Sequence, residues 1–373
     1  MAAETNEQRI RTIDKEVAKL LQERLELGAG GAQDSQSALS SRSYERSFMN
    51  ELEREYPGSR GYEQILFQTI FNLSHSYRAT SGRSESDLAG KINTAIETTP
   101  KLFPSSAMVA CQGIEGAYSQ IATDKIFSHA NIMYFRTFEG VFQAVENGLC
   151  EFGILPIENS SYGSVTQVYD LMADHKFHIV RDYKLLIRHC LVVKPGTKLE
   201  DIREVYSHNQ AIGQCSMFLK EHSDIKVNIV ENTAVAARMV ADSDRNDVAA
   251  ISSMDCCRLY GLESISDRIQ NTDHNYTRFI CITKDLRIYP GASKTSVMLT
   301  LGHTPGALAD TLTSFSSLGL NLTKIESRPQ AGSDFEFLFY LDFDASAYSE
   351  EVVSLLCRLD SEPGKFAYLG TYI

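Results

Sequence analysis

Several stretches of the sequence deliver reactive side chains to the edge of an apolar run. In Asp273-His274-Asn275-Tyr276-Thr277-Arg278-Phe279, a polar cluster feeds directly into Ile280-Cys281-Ile282. A polar loop running into a short hydrophobic segment reads as a turn entering a buried strand. The Thr277 hydroxyl and the Arg278 guanidinium then arrive at a strand mouth. A hydroxyl held there can give a proton to a leaving group, and a guanidinium can anchor a carboxylate. The same residues also make sense without a ligand, as a turn closed by Asp273 and Asn275 with Arg278 in a structural ion pair. Two more stretches share the pattern. Met108-Val109-Ala110-Cys111 runs into Gln112-Gly113-Ile114-Glu115-Gly116-Ala117-Tyr118-Ser119. Phe152-Gly153-Ile154-Leu155-Pro156-Ile157 runs into Glu158-Asn159-Ser160-Ser161-Tyr162-Gly163-Ser164. Such glycine-bearing turns, each starting a helix, aim N–H groups and hydroxyls at one point, which suits carboxylates. Glycine turns and serine caps are also common with no ligand present.

The chain that must position these groups has 373 residues, 43% hydrophobic and 23% charged, with a net charge of -12. That length suits two or three domains with ample core. The acidic balance argues against a general nucleic-acid or anionic-membrane binder, so an anionic ligand needs local arginines and helix N-termini. No signal-peptide pattern opens the sequence and no run approaches a membrane span, so a cytoplasmic protein is expected. Many of the eight cysteines lie in apolar runs (Cys111, Cys150, Cys190, Cys281, Cys357) and read as small buried hydrophobes. No C-x-x-C occurs, and His175 and His178 lack a convincing third ligand, so neither a metal nor another cofactor is expected.

Residues 6–27 place Ile10, Ile13, Val17, Leu20, Leu21 and Leu27 at helical spacing. A glycine-rich break and a serine-rich stretch follow. A second helix is expected from about Tyr44 to Glu55, stopping at Pro57-Gly58, and a third from about Tyr62 to Tyr77. These make an all-α module, 1–78, whose strong apolar seam suits dimerisation. Residues 79–104 read as a linker with a short helix near Leu88–Ile96. From Ala107 onward, strands and helices alternate through two α/β lobes, 105–285, whose polar strand ends face a cleft. Residues 295–373 show the order βαββαβ, a ferredoxin-like α+β unit.

Three motifs in order carry a resemblance. Ile154-Leu155-Pro156-Ile157-Glu158-Asn159-Ser160 with Gly163-Ser164-Val165, Ser207-His208-Asn209-Gln210-Ala211 with Gln214-Cys215, and Asn275–Phe279 resemble the signature series of prephenate dehydratase. The resemblance covers about Ala107–Lys284. It implies a fold similar to a two-lobed periplasmic binding protein and a site in its cleft. Prephenate would lose its ring carboxylate as CO2 and its hydroxyl as water, giving phenylpyruvate. Aromatisation drives that reaction, and the difficult step is supplying a proton to the departing hydroxide. The family implicates Thr277 as donor, with Asn159 and Ser160 as further catalytic residues. Ser119, Ser207, Gln214, Thr233, Arg278 and Phe279 would hold substrate. Glu158 would more readily orient its turn than act as the acid, since a carboxylate beside a dianion opposes binding. Arg278 either anchors a carboxylate or shapes the loop.

The first module resembles the all-helical chorismate mutase domain through Ile13-Asp14-Lys15, Leu20-Leu21-Gln22-Glu23-Arg24 and the last helix with Ser74. Arg24, Glu45 and Ser74 match that family's site. The helix-one arginine position reads Glu7, no lysine occurs in Gly30–Ser35, and the glutamine position reads Arg78. Because that rearrangement depends on preorganised charge, a weak or inactive mutase is expected. The third module resembles the ACT regulatory domain: Gly306-Ala307-Leu308 matches the turn that receives an amino acid, and Asn321-Leu322 with Glu326-Ser327-Arg328-Pro329 the second effector motif. The implied effector is phenylalanine, bound between ACT domains of a homodimer or a dimer of dimers. Two alternatives stand beside the dehydratase: a bifunctional enzyme that also consumes chorismate, and a non-catalytic amino-acid sensor.

Overall fold

The computed structural model describes residues 5–29, 35–56, 61–81, 86–302, 306–330 and 337–373. The chain begins with four helices, α1 (Asn6–Ala29), α2 (Ser35–Glu55), α3 (Tyr62–Ser81) and α4 (Asp87–Thr98). Helix α2 starts well before the expected Tyr44, running through the serine-rich stretch. The expected stop at Pro57-Gly58, the lysine-free segment 30–34 and the side chain of Arg78 lie outside the described residues. Tyr44, Phe48, Phe67 and Phe71 form an aromatic cluster between α2 and α3. The α1 seam is exposed in the single chain, with Ile10 59% and Leu20 57% accessible.

The first lobe contains β1 (Ser106–Gln112), α5 (Tyr118–Ile126), β2 (His129–Phe135), α6 (Phe138–Glu146), β3 (Phe152–Asn159), β4 (Gly163–Ser164), α7 (Thr166–Met172) and β5 (His178–Leu186). The second lobe follows with β6 (Cys190–Val193), β7 (Glu204–Ser207), α8 (Asn209–Gln214), α9 (Ser216–Glu221), β8 (Lys226–Ile229), α10 (Thr233–Asp242), β9 (Val248–Ser252), α11 (Met254–Leu259) and β10 (Glu263–Ser266). The helix expected over Gln210–Leu219 is broken at Cys215, which leaves helical geometry at φ -110 and ψ 19. The chain then returns to the first sheet as β11 (Tyr276–Thr283).

The first sheet has the order β2-β1-β3-β11-β5, with β4 on β3, and the second the order β10-β6-β9-β7-β8. Both are mixed. In the first, β1 runs parallel to β2 and β3, whereas β11 is antiparallel to β3 and β5. β11 is fully buried from Arg278 to Thr283, as a central strand covered on both faces must be. Gly153 is needed in β3, since a Cβ there would lie 2.9 Å from both Val141 and Val145. All eight cysteines are free and buried.

The C-terminal part comprises β12 (Lys294–Thr300), α12 (Ala307–Ser317), β13 (Leu322–Pro329), β14 (Phe337–Phe343), α13 (Glu350–Ser361) and β15 (Phe366–Tyr372). The sheet order β13-β14-β12-β15 is that of a ferredoxin-like unit, consistent with an ACT domain. Two compact units result, 95–292 with 369–373, and 1–94 with 293–368. The second departs from the expected separation of 1–78 and 295–373, because α3 packs against α12 and α13 as well as against α1 and α2. Among the described residues no helix is long and apolar enough to cross a membrane.

Candidate active site

The cleft between the two α/β lobes has a volume of about 450 Å³, within the range of small-molecule sites. Its most informative wall is the pairing of β3 with β11, where Thr277 lies opposite Asn159. The register shifts by one residue between Arg278 and Phe279, which brings Phe279 opposite Pro156. Strand side chains alternate, so Thr277 and Phe279 share the cleft face while Arg278 points away. On β3 the extra residue, Ile157, resets the alternation. Pro156 and Asn159 therefore both reach the cleft although three positions apart. Pro156 and Phe279 supply an apolar surface beside the polar pair.

The hydrogen bonds around that pair fix its polarity. Asn159 Oδ1 accepts the backbone N–H groups of Ser161 at 2.9 Å and Tyr162 at 3.0 Å. Its Nδ2 must face the other way, and donates to Asn275 Oδ1 and Thr277 Oγ1, each at 2.9 Å. The Thr277 oxygen is thus occupied as an acceptor, and its proton is left to be donated into the cleft it lines. Gln214 Nε2 donates to the carboxamide oxygens of Asn159 and Asn275 at 3.4 and 3.3 Å. Asn275 is fully buried and its Nδ2 has no partner among the described residues.

Of the residues expected at the site, the cleft brings together Asn159, Ser119, Gln214, Thr233, Thr277 and Phe279. Glu158, Ser160, Ser207 and Arg278 do not line it. Arg278 is buried, donating from Nε to Asp182 at 2.7 Å and from Nη2 to the Tyr372 hydroxyl at 2.7 Å. Ser160 Oγ donates to His274 O and accepts from Tyr276 N, tying the two loops that carry Asn159 and Thr277. Ser207 Oγ donates to Ile251 O inside the second sheet. Glu158 lies opposite both Ser164 and Arg278 in the sheet, away from the cleft surface.

Sequence patterns did not single out His189, Tyr118 or the side chain of Asn275 as parts of one network. His189 sits on the first segment crossing between lobes and lines the cleft. Its Nε2 is 2.7 Å from Gln214 Oε1 and its Nδ1 is 3.2 Å from the Tyr118 hydroxyl. Burial holds its pKa below the ordinary imidazole value, against a smaller opposing effect of the Gln214 bond. Burial does the same to His208, which also lines the cleft. Among the described residues lining the cleft there is no lysine or arginine, and Glu231 is the acidic one. Helix α5 has no side-chain cap and opens into the cleft at Tyr118 and Ser119, so its first-turn N–H groups are available to an anion.

Elsewhere, Arg24 Nη1 donates to Ser74 Oγ and the guanidinium lies over the Phe71 ring, 5.0 Å from its centroid. Glu45 also has a bonding partner. In the C-terminal unit Gly306 adopts φ +92 immediately before Ala307 and Leu308 open α12, a conformation that favours glycine. Asn321 Nδ2 donates to Asp344 Oδ2 at 3.4 Å, and Leu322 begins β13. Glu326 pairs with Lys324 at 3.5 Å on one face of that strand, with Ser327 on the other.

A family model described as prephenate dehydratase matches residues 109–287, the span that contains the cleft. Arogenate dehydratase 2 of Petunia hybrida is 36% identical over 315 residues, 80% of this chain and 79% of that protein. The bifunctional chorismate mutase/prephenate dehydratase of Escherichia coli (strain K12) is 34% identical over 278 residues, 73% of this chain and 72% of that protein. The structure of a prephenate dehydratase from Arthrobacter aurescens in complex with L-Phe matches with a TM-score of 0.66 and 29% identity, covering 71% of this chain and 89% of that one. With the cleft, its paired Asn159 and Thr277, and relatives that align over most of its length, this chain belongs to the prephenate dehydratase family.

Proposed function

We propose that the protein converts prephenate to phenylpyruvate, CO2 and water, with Thr277 as the proton donor to the departing hydroxide. The observation that carries this is the polarity of the Asn159–Thr277 bond, which leaves the hydroxyl proton for a ligand. The carbon–carbon bond to the ring carboxylate breaks and its electron pair enters the ring. The carbon–oxygen bond breaks with its pair on oxygen, which takes up a proton, and Thr277 regains one from solvent. Pro156 and Phe279 pack against the ring that becomes aromatic. Ser119 with the start of α5, Gln214 and Thr233 are the groups placed to receive carboxylate and keto oxygens. Ser160 acts by fixing the loop that presents Thr277. Replacing Thr277 with Ala is expected to lower kcat by about a hundredfold or more while the protein stays folded, the scale of a lost general acid. Near-normal phenylpyruvate formation would remove Thr277 from the reaction.

A second reading concerns the substrate's side chain. Arogenate carries an ammonium where prephenate carries a keto group, and Glu231 on a cleft without lysine or arginine is complementary to it. Rates on both substrates, with Glu231→Gln lowering only that on arogenate, decide between them. We further propose phenylalanine as an inhibitor held at Gly306, Ala307, Leu308, Asn321, Leu322, Glu326 and Ser327, in a homodimer or dimer of dimers. A helix N-terminus that begins at a glycine can take its carboxylate. For the N-terminal helices we propose a mutase-like scaffold of little or no activity: Arg24 is bonded to Ser74, and two family charges, an arginine and a lysine, are missing.

A further inference from the structure

We propose that His189 is a positioning residue for this reaction: it selects the orientation of the Gln214 carboxamide and, through it, the direction of the Thr277 proton. This rests on Thr277 being the proton donor. The Asn159 carboxamide is oriented by the backbone N–H groups of Ser161 and Tyr162. Asn275 Oδ1 is oriented because it accepts from Asn159 Nδ2. Gln214 therefore meets two carboxamide oxygens on one side. Turned over, its own oxygen would face both of them with no proton between, an unsatisfied arrangement in a buried site. The side that remains, Gln214 Oε1, lies 2.7 Å from His189 Nε2. Two acceptors cannot bond, so the imidazole carries its proton on Nε2.

The ring is held to do this. His189 is 2% exposed. Its backbone carbonyl accepts from Ile269 N at 3.0 Å and its N–H donates to Gln270 Oε1 at 3.0 Å, so the second crossing between lobes holds it on the first. The Tyr118 hydroxyl lies between Arg188 O at 2.7 Å and His189 Nδ1 at 3.2 Å, and turned to the ring its proton is donated to Nδ1, the acceptor edge of the neutral imidazole. Burial favours the neutral ring, which is the form with one donor and one acceptor that this chain of bonds requires. Without the Nε2 donor, Gln214 Oε1 is left unsatisfied in a buried site, and Gln214 no longer holds its Nε2 firmly against the oxygens of Asn159 and Asn275, the pair whose bond sits beside Thr277.

The two amide replacements separate this role from simple packing, because glutamine places its amide nitrogen near the Nε2 position and asparagine near Nδ1. His189→Gln, His189→Asn and Thr277→Ala are compared for kcat, KM and thermal midpoint. The expected result is a His189→Gln variant within about threefold of wild-type kcat and a His189→Asn variant roughly tenfold or more below it, the scale of one buried hydrogen bond. KM should change little in either. Equal kcat for the two amides, or a loss confined to KM, would overturn the positioning role while leaving Thr277 in place if Thr277→Ala is inactive. An active Thr277→Ala variant would remove the donor itself, whatever the histidine series gives.

Discussion

The substitution Asn159→Asp tests the polarity of the site with almost no change of shape. The carboxylate keeps the oxygen that accepts from Ser161 and Tyr162 N–H groups. The Nδ2 donor becomes a second acceptor, 2.9 Å from Thr277 Oγ1 and 2.9 Å from Asn275 Oδ1. Thr277 then rotates to donate to the carboxylate, and Asn275 can turn its unpartnered Nδ2 toward the same oxygen. A hydrogen bond to a charged group contributes about 1.5–3 kcal/mol, and it must break before the proton reaches substrate. At about 1.4 kcal/mol per factor of ten, kcat falls by about 10- to 150-fold. A negative charge beside an anionic ligand adds an increase in KM. Asn159→Ala loses the same donor but leaves the threonine proton uncommitted, so it should retain more activity than the aspartate variant. Steady-state phenylpyruvate formation gives the rates, and circular dichroism melting checks the fold. An aspartate variant within about threefold of wild type, or faster than the alanine variant, would refute the assigned polarity.

Three other perturbations follow from the geometry. Asp182→Ala removes the carboxylate 2.7 Å from the buried Arg278, and an uncompensated buried charge costs about 3–5 kcal/mol. The lower end is expected because Tyr372 remains, and a urea-denaturation change under about 1 kcal/mol would contradict it. Burial lowers the pKa values of His189 and His208, so the unfolded chain binds protons that the folded chain excludes. Stability should therefore fall as pH drops below the unfolded imidazole value of about 6.5, and recover above it. His189→Gln should flatten the dependence of the melting midpoint between about pH 6.5 and 5, and an unchanged slope would count against the burial effect. Glu326→Ala should raise the phenylalanine concentration needed for half inhibition with the unliganded rate unchanged, and unaltered inhibition would displace the effector site from β13.

Particular elements show where a linear reading holds. The three cleft motifs are local: a short apolar run, a polar turn and a helix start can be recognised in adjacent residues, because strand and helix periods are set by the chain itself. That was enough to order βαββαβ at the C-terminus, whereas it was the resemblance to a family that grouped Asn159, Gln214, Thr233 and Thr277 in one site. The first turns of helix α2 carry no strong local signal because serine has weak intrinsic helix preference, whereas from Tyr44 onward the aromatic contacts with α3 match the apolar pattern. The packing of α3 against α12 and α13 joins residues more than two hundred positions apart and leaves no local pattern.

The sequence by itself determined the strands, the polar turns and the hydroxyl at the mouth of β11. Tertiary structure alone decided which way each side chain points. A one-residue bulge at Ile157 puts Pro156 and Asn159 on the same face, and strand alternation turns Arg278 away from the cleft toward Asp182 and Tyr372. His189 is a single histidine in an unremarked segment until the two crossings bring it against Gln214. The physical reason is range: periodicity acts over a few residues, whereas a hydrogen bond's direction depends on every partner that the fold gathers around it.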